Sequence, residues 1–400
     1  MYKTIRICLS IFIMLIGIID EGFSCTVFTA STNRVVLFGN NEDTFSPFTR
    51  IWFLPAEKGK YGRIYFGIEQ LGCIHPQGGV NDRGLAFDIL AAPSKQAEGP
   101  LQKEQYIDTY SNLIVKVMEE CATVSEAVGL FNRYYTGKSW SGQYFVADRN
   151  GDAAIIEIDT VHRKQGPFLV ATNFYLSQFS EGEYPCRRFK TASAMLRNNS
   201  DISVEFFKEI LSAVHLEGDT PTQYSNIIDL RNEVIYLYHF HDYKNVVVID
   251  VNSELSKGRR SVEIASIFPE KSEFQKYQKK VKKPILRPLW AAFYKAGVSE
   301  AIRKYYSIKK DQESPYDSNE WLLKVFGWEL ADGGRSADAI EIFRLVTLEF
   351  PDSAEAYEKL GWAFYNNGQF DLAVKSYKKC LELNPENRTS ALMLKRLNDT

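Results

Sequence analysis

The feature that most constrains this chain is a period of about 34 residues near its C-terminal end. Tyr357, Leu360-Gly361, Phe364, Gly368, Ala373, Tyr377 and Pro385 have counterparts 34 residues earlier in Leu323, Phe326-Gly327, Leu330, Gly334, Ala339, Phe343 and Pro351. The spacing predicts paired antiparallel helices, with small residues where they approach closely and large ones filling the gaps. A degenerate unit over Trp290–Lys309 carries Gly297, Ala301 and Tyr305 at partly matching positions. Such hairpins bury a core only by stacking, and two good units with one poor one are about the minimum that suffices.

Nothing in the composition competes with folded domains. At about 150 residues per domain, 400 residues suggest two or three domains. A charged fraction of 24% and a hydrophobic fraction of 45% argue against disorder and coiled coil. Lys+Arg (48) and Asp+Glu (50) nearly cancel, so no global positive field draws in nucleic acid. Six cysteines are too few for a disulfide scaffold.

Short runs rich in Val, Ile, Phe and Tyr predict strands at Thr26–Thr29, Arg34–Gly39, Arg50–Leu54, Arg63–Ile68 and Leu85–Leu90. Helices are expected around Thr109–Cys121 and Val124–Tyr134, then a hairpin of Tyr144–Asp148 and Ala153–Ile158. A strand at Phe168–Thr172, helices at Arg187–Leu196 and Ser203–Val214, and strands at Val234–His239 and Val246–Val251 complete an α+β domain. Residues 258–288, basic and punctuated by proline, read as a linker with solvated lysines and arginines. The expected division is therefore 1–24, 25–257, a linker at 258–288 and helical repeats at 289–395.

The first 24 residues read as an export signal. Lys3 and Arg6 precede the apolar run Ile7–Ile19, which is about 13 residues and short of the ~20 that span a bilayer. Gly22 and Ser24 supply small residues before a cut after Ser24. The chain would then be periplasmic or secreted, with no stable membrane span. An uncleaved anchor and a lipoprotein are the competing readings. Cleavage leaves 400 − 24 = 376 residues and, since Cys8 departs, 6 − 1 = 5 cysteines. An odd count in an exported protein calls for an unpaired thiol, and Cys25 is the residue expected to stay free.

As a first residue, Cys25 would carry both a nucleophile and its base. An α-amine has a reference pKa of about 7.7–8.0, so a useful fraction is neutral and can take the thiol proton. The thiol itself, near 8.5, needs only modest help.

Downstream motifs carry a resemblance. Cys25-Thr26 with Leu37-Phe38-Gly39-Asn40-Asn41-Glu42-Asp43, Gly79-Val80-Asn81-Asp82-Arg83-Gly84-Leu85, Leu169-Val170-Ala171-Thr172-Asn173 and Arg187-Arg188-Phe189 occur in that order. Thr222-Gln223-Tyr224-Ser225 and the strands after it follow. From about 25 to 255 the sequence resembles the choloylglycine hydrolase family of N-terminal-nucleophile hydrolases, which includes bile salt hydrolases and penicillin V acylases. The C-terminal period resembles tetratricopeptide repeats.

The first resemblance implies an αββα fold with a catalytic set of Cys25, Asp43, Asn173 and Arg188. Cys25 would attack an amide carbonyl to give a thioester, and Asp43 would accept a hydrogen bond from its amine. Asn173 would donate to the oxyanion, a contribution of about 2.7–4 kcal/mol per donor. Arg188 would orient Asp43 or the nucleophile. Asn40, Asn81 and Ala91 are the further positions expected near substrate. Asn40 stands where the family usually has an arginine, and the Cys25–Asp43 spacing is one residue shorter than in bile salt enzymes. Ala91 replaces an asparagine thought to act at the oxyanion, where a backbone amide could substitute.

Other signals are discounted. Gly137-Lys138-Ser139 lacks the first glycine of a phosphate loop. His239 and His241 would share a strand face, but no zinc-like ligand spacing accompanies them, and they read as core or edge histidines. No cofactor or metal is expected. The sequence thus points to an exported cysteine amidohydrolase acting on a small linear amide. Its repeats would contact a protein partner, mediate self-association or simply pack. A scaffold with a vestigial hydrolase fold, and an acyltransferase using the same thioester, are the alternatives.

Overall fold

The computed structural model describes residues 25–398 apart from 71–72, 97–104, 107–109, 136–138, 181, 200 and 333. The expected export segment 1–24 and the Gly137-Lys138 pair lie outside the described residues. The described chain divides into two compact units, the first made of residues up to Glu69 and Ile74–Val281, the second chiefly of residues from Lys282 onward.

Two antiparallel sheets form the centre of the first unit. The six-stranded sheet runs Phe168–Ala171, Thr26–Ser31, Val36–Asp43, Thr222–Asp229, Val234–His239, Asp242–Asp250 in spatial order. The eight-stranded sheet runs Val161–Arg163, Ala153–Ile156, Ser139–Asp148, Leu85–Gln96, Cys73–Asn81, Arg63–Gln70, Thr49–Leu54, Arg260–Glu263. Alternate side chains explain the layering. Val27, Phe38, Tyr224 and Leu237 meet Ile51, Phe53, Phe66 and Phe145 in one core between the sheets. The opposite faces hold Phe28, Leu37 and Ile227 against helices Arg187–Asn198 and Val204–Val214. Trp52, Tyr65 and Phe87 likewise pack against helices Tyr110–Glu120 and Val124–Arg133. Covered on both faces, these strands lose the polar alternation of a half-solvated sheet. The αββα layering implied by the resemblance is the observed fold.

The 258–288 segment differs from its expected role as a linker. Arg260–Glu263 is the edge strand of the eight-stranded sheet, antiparallel to Thr49–Leu54, and Ser272–Lys280 is a helix. Ile264 is buried in the central core with Phe268 packed against it. Arg260 is not simply solvated, since its guanidinium lies 3.9 Å from the centre of the Phe53 ring. Four residues of strand among many lysines are too few to set a visible period. Strands Cys73–Asn81 and Thr222–Asp229 also go beyond the sequence expectation.

The second unit stacks helical hairpins: Leu286–Ala296 with Val298–Lys310, Glu320–Asp332 with Ser336–Glu349, and Ala354–Asn366 with Phe370–Leu383. Helix Arg388–Asn398 follows. The period has a direct packing cause. A Cβ on Gly327 would lie 3.0 Å from the Phe343 ring, and one on Gly361 would lie 2.9 Å from Tyr377. Both contacts recur at the 34-residue offset. Among the described residues no helix is long and apolar enough to cross a membrane.

Candidate active site

Cys25 sits immediately before the strand Thr26–Ser31, buried at 4% exposure. Its neighbour Val36–Asp43 is buried along its whole length although it ends Asn-Asn-Glu-Asp. Antiparallel pairing sets Thr26 opposite Asn41, and Thr222 opposite Asp43 on the far side. The sheet therefore gathers Cys25, Glu42 and Asp43 at one end of adjacent strands.

Arg188 joins the expected catalytic set. Its Nη1 donates to the Cys25 carbonyl at 2.8 Å, to the Thr26 hydroxyl at 2.7 Å and to Asp43 Oδ2 at 3.3 Å. Its Nη2 donates to Asn173 Oδ1 at 3.2 Å. That contact turns the Asn173 amide nitrogen away from the guanidinium and toward the Ala91 carbonyl, at 2.8 Å. One amide N–H is spent there and one is left. Asp43 Oδ1 accepts from the Thr222 hydroxyl. Cys25, Asp43, Asn173 and Arg188 thus form one hydrogen-bonded group, and Ala91 borders it through its carbonyl, an acceptor. The backbone amide suggested as a substitute oxyanion donor is not the group Ala91 turns to Asn173.

Electrostatics at Cys25 run against the expectation of an easily formed thiolate. Burial pushes the thiol well above its usual value, and Glu42, Asp88 and Asp43 push it further. The Asp43 backbone N–H opposes this by donating to the sulfur. The Arg188 guanidinium meets Cys25 at its backbone carbonyl. Burial also raises Glu42, whose carboxyl lies against the Cys25 thiol and the Tyr224 hydroxyl. Asp88 is raised by burial and then by Glu42. Asp43 is raised by burial against the opposing pull of Arg188.

The remaining positions divide. Asn40 is fully buried and donates to Asp88, which makes it part of the acidic cluster behind Cys25. Asn81 belongs elsewhere. Its Nδ2 donates to the Met118 and Cys121 carbonyls, and its Oδ1 accepts from the Arg83 and Leu85 amides. With every amide group spent on backbone, Asn81 shapes a turn, and the expected substrate contact is corrected to a structural one. Gly84 completes that turn at φ +73°, where other residues are strained.

Glu42, Asp88, Thr222 and Tyr224 were not singled out as site residues. A signal existed for Glu42, since four consecutive polar residues close an otherwise apolar strand. Buried atoms of this cluster lack a closed hydrogen bond, among them Glu42 Oε2, Asn40 Oδ1, Asp88 Oδ1 and the Tyr224 hydroxyl, an arrangement seldom kept without a reason. A cleft of about 450 Å³ opens beside Asn173, Phe174, Cys186 and Arg188, with Leu216–Thr220 as its opposite wall. Cys25, Cys121, Cys186 and Cys380 are free thiols.

The two histidines part company. His239 is a core residue packed against Phe268 and Phe274. His241 occupies the following turn and stacks on His215 at 5.3 Å, so the shared strand face is corrected. Glu217 joins His215 and His241 as a third potential ligand, brought together by the fold and not by spacing along the chain.

Comparison with known proteins adds three likenesses. Residues 354–387 match the tetratricopeptide repeat family. The chain is similar to conjugated bile acid hydrolase from Clostridium perfringens at 18% identity and TM-score 0.48, over 60% of this chain and 96% of that one. It is also similar to penicillin V acylase from Agrobacterium tumefaciens at 16% identity and TM-score 0.44, over 60% and 90% respectively.

Proposed function

We propose that the first unit is a cysteine amidohydrolase, made competent when an exported chain loses residues 1–24. The observation that carries this reading is the Arg188 network, which binds the Cys25 carbonyl, Asp43 and Asn173 at once. Such a network fixes the start of the strand where an N-terminal nucleophile would stand.

The chemistry follows from the freed α-amine. A cation carried by Cys25 itself would offset three neighbouring carboxylates, and its neutral form would take the thiol proton. The sulfur then attacks the amide carbon, and the oxyanion meets the unspent Asn173 N–H. Collapse breaks the C–N bond, and the departing amine takes the proton back from the α-amine. Water then adds to the thioester, releasing the carboxylic acid and restoring the thiol. The proposed substrate is a small linear amide that fits the cleft beside Arg188. The helical repeats would hold a protein segment or a second copy of the chain.

One observation favours a second reading. A thiol this buried and this surrounded by acid suits an inert scaffold. N-terminal sequencing of the exported protein, with an amide substrate screen on it, separates the two. The hydrolase reading expects Cys25 first and turnover that Cys25→Ala abolishes. Residues 1–24 retained in active protein would overturn it.

A further inference from the structure

We propose that His215, Glu217 and His241 form a site for a divalent transition-metal ion of the zinc type, whose binding fixes the loop that walls the cleft. One ligand atom from each residue lies within 4.8 Å of the other two, and no other such group of three stands out among the described residues. Ligands 2.0–2.1 Å from a tetrahedral zinc lie about 3.3 Å apart. The His215 Nε2–Glu217 Oε1 edge is already at 3.2 Å, so His241 alone has to close in.

The histidines are prepared for this. His215 Nδ1 faces the Ser212 carbonyl at 2.5 Å. A carbonyl only accepts, so Nδ1 carries the proton there and Nε2 is turned to Glu217. This is the backbone support that orients metal-binding imidazoles. His241 is presented by the two-residue turn between Val234–His239 and Asp242–Asp250. Phe240 at φ +48° and His241 at φ +46° occupy left-handed positions, where such turns usually use Asn-Gly. Phe240 is pinned by Phe274 and Tyr277, and its carbonyl accepts from Lys271 at 3.0 Å. A bulky pair in strained backbone, over-determined by its neighbours, delivers an imidazole to one place.

The charge balance suits a cation. Lys271 is the opposing group, but its ammonium is engaged by the Phe240 carbonyl and lies 3.7 Å from Glu273. Two imidazoles and one carboxylate suit zinc-like ions better than calcium or magnesium, which take oxygen ligands. Three protein ligands leave one position for water.

The consequence is mechanical. His215 immediately precedes the cleft-lining segment Leu216–Thr220, and Glu217 lies within it. An ion joining them to the 240–241 turn would tie that wall to the six-stranded sheet. The site does not depend on the Cys25 reading, and its test reads no turnover.

The test is titration of the purified full-length chain with Zn²⁺ by calorimetry and with Co²⁺ by visible absorption, alongside amide hydrogen exchange across 215–220. One equivalent should bind, with ligand-field bands of four-coordinate cobalt and slowed exchange in the loop. His215→Gln and Glu217→Gln should each weaken binding about 100-fold or more, above the 10–100-fold typical of lost supporting contacts. His241→Asn, which tolerates left-handed backbone, should do the same while circular dichroism stays unchanged. Cys25→Ser should bind as the parent does. Binding that survives the double variant His215→Gln/His241→Asn, or that vanishes with Cys25→Ser, would overturn the proposal. So would stoichiometric binding that leaves loop exchange unaltered.

Discussion

The two units bury their interiors in opposite ways. The helical unit fills its core with Leu323, Phe326, Phe343, Leu360, Phe364 and their neighbours, and burying apolar surface at about 25 cal/mol per Å² accounts for such a core. The sheet unit instead buries Asn40, Asn41, Glu42, Asp43 and Asp88 at the end of its central strands. Each buried ion costs several kcal/mol before compensation. Stability explains the first interior and cannot explain the second. A polar cluster kept at that cost beside a thiol is the reason the proposed chemistry is assigned to the sheet unit.

The contrast is broken most directly at Arg188. Arg188→Met removes the cation that Asp43, Asn173 and the Cys25 carbonyl share. It should destabilise the sheet unit by about 3–5 kcal/mol, as removing one partner of a buried ion pair does, and turnover should be lost with it. Differential scanning calorimetry should show the loss in the sheet unit's transition alone. The mirror experiment is Phe343→Ala, at about 3–5 kcal/mol for a buried Phe, confined to the helical unit and leaving hydrolysis intact. Gly361→Ala should cost less, about 1–3 kcal/mol for overpacking, because its new Cβ would meet the Tyr377 ring.

Two pH effects sharpen the comparison further. Glu42 is raised by burial, so the folded state holds its proton more tightly than the unfolded state. Its stabilising effect is full below about 4.3, the ordinary glutamate value, and is lost as pH rises through the raised value. Full-length protein should therefore weaken over that rise, measured by urea midpoint. Glu42→Gln should flatten the profile, and a chain starting at Cys25 should weaken less. His239 has the opposite sign. Burial lowers it to about 4, so its contribution is present above about 6.5 and is lost as pH falls toward 4. His239→Phe should remove that acid-side slope, the smallest effect of the set.

Legibility in the sequence followed how local each signal was. The repeats were readable because Gly327 with Phe343 and Gly361 with Tyr377 make the same contact at a fixed offset. Strands near the N-terminus were readable from short apolar runs. Thr222–Asp229 was missed as a strand because Thr-Gln-Tyr-Ser-Asn faces the polar cluster and breaks the apolar pattern. Arg260–Glu263 was missed because it pairs with a strand about 200 residues earlier, and its four residues carry no period. The grouping of Cys25, Asp43, Asn173 and Arg188 was anticipated through the resemblance. The thiol's acidic surroundings were not, since Asp88 arrives from the other sheet. The His215–Glu217–His241 group escaped because its members lie on a loop and a turn, with no ligand spacing along the chain.

The central claim, that Cys25 becomes a nucleophile when residues 1–24 are removed, is tested most directly by mass spectrometry of protein quenched during amide turnover. Chain beginning at Cys25 should carry one acyl group on Cys25, released by hydroxylamine as a thioester would be. The same chain with Cys25→Ala, and chain retaining 1–24, should carry none. Turnover without an adduct and undiminished by Cys25→Ala would contradict the account.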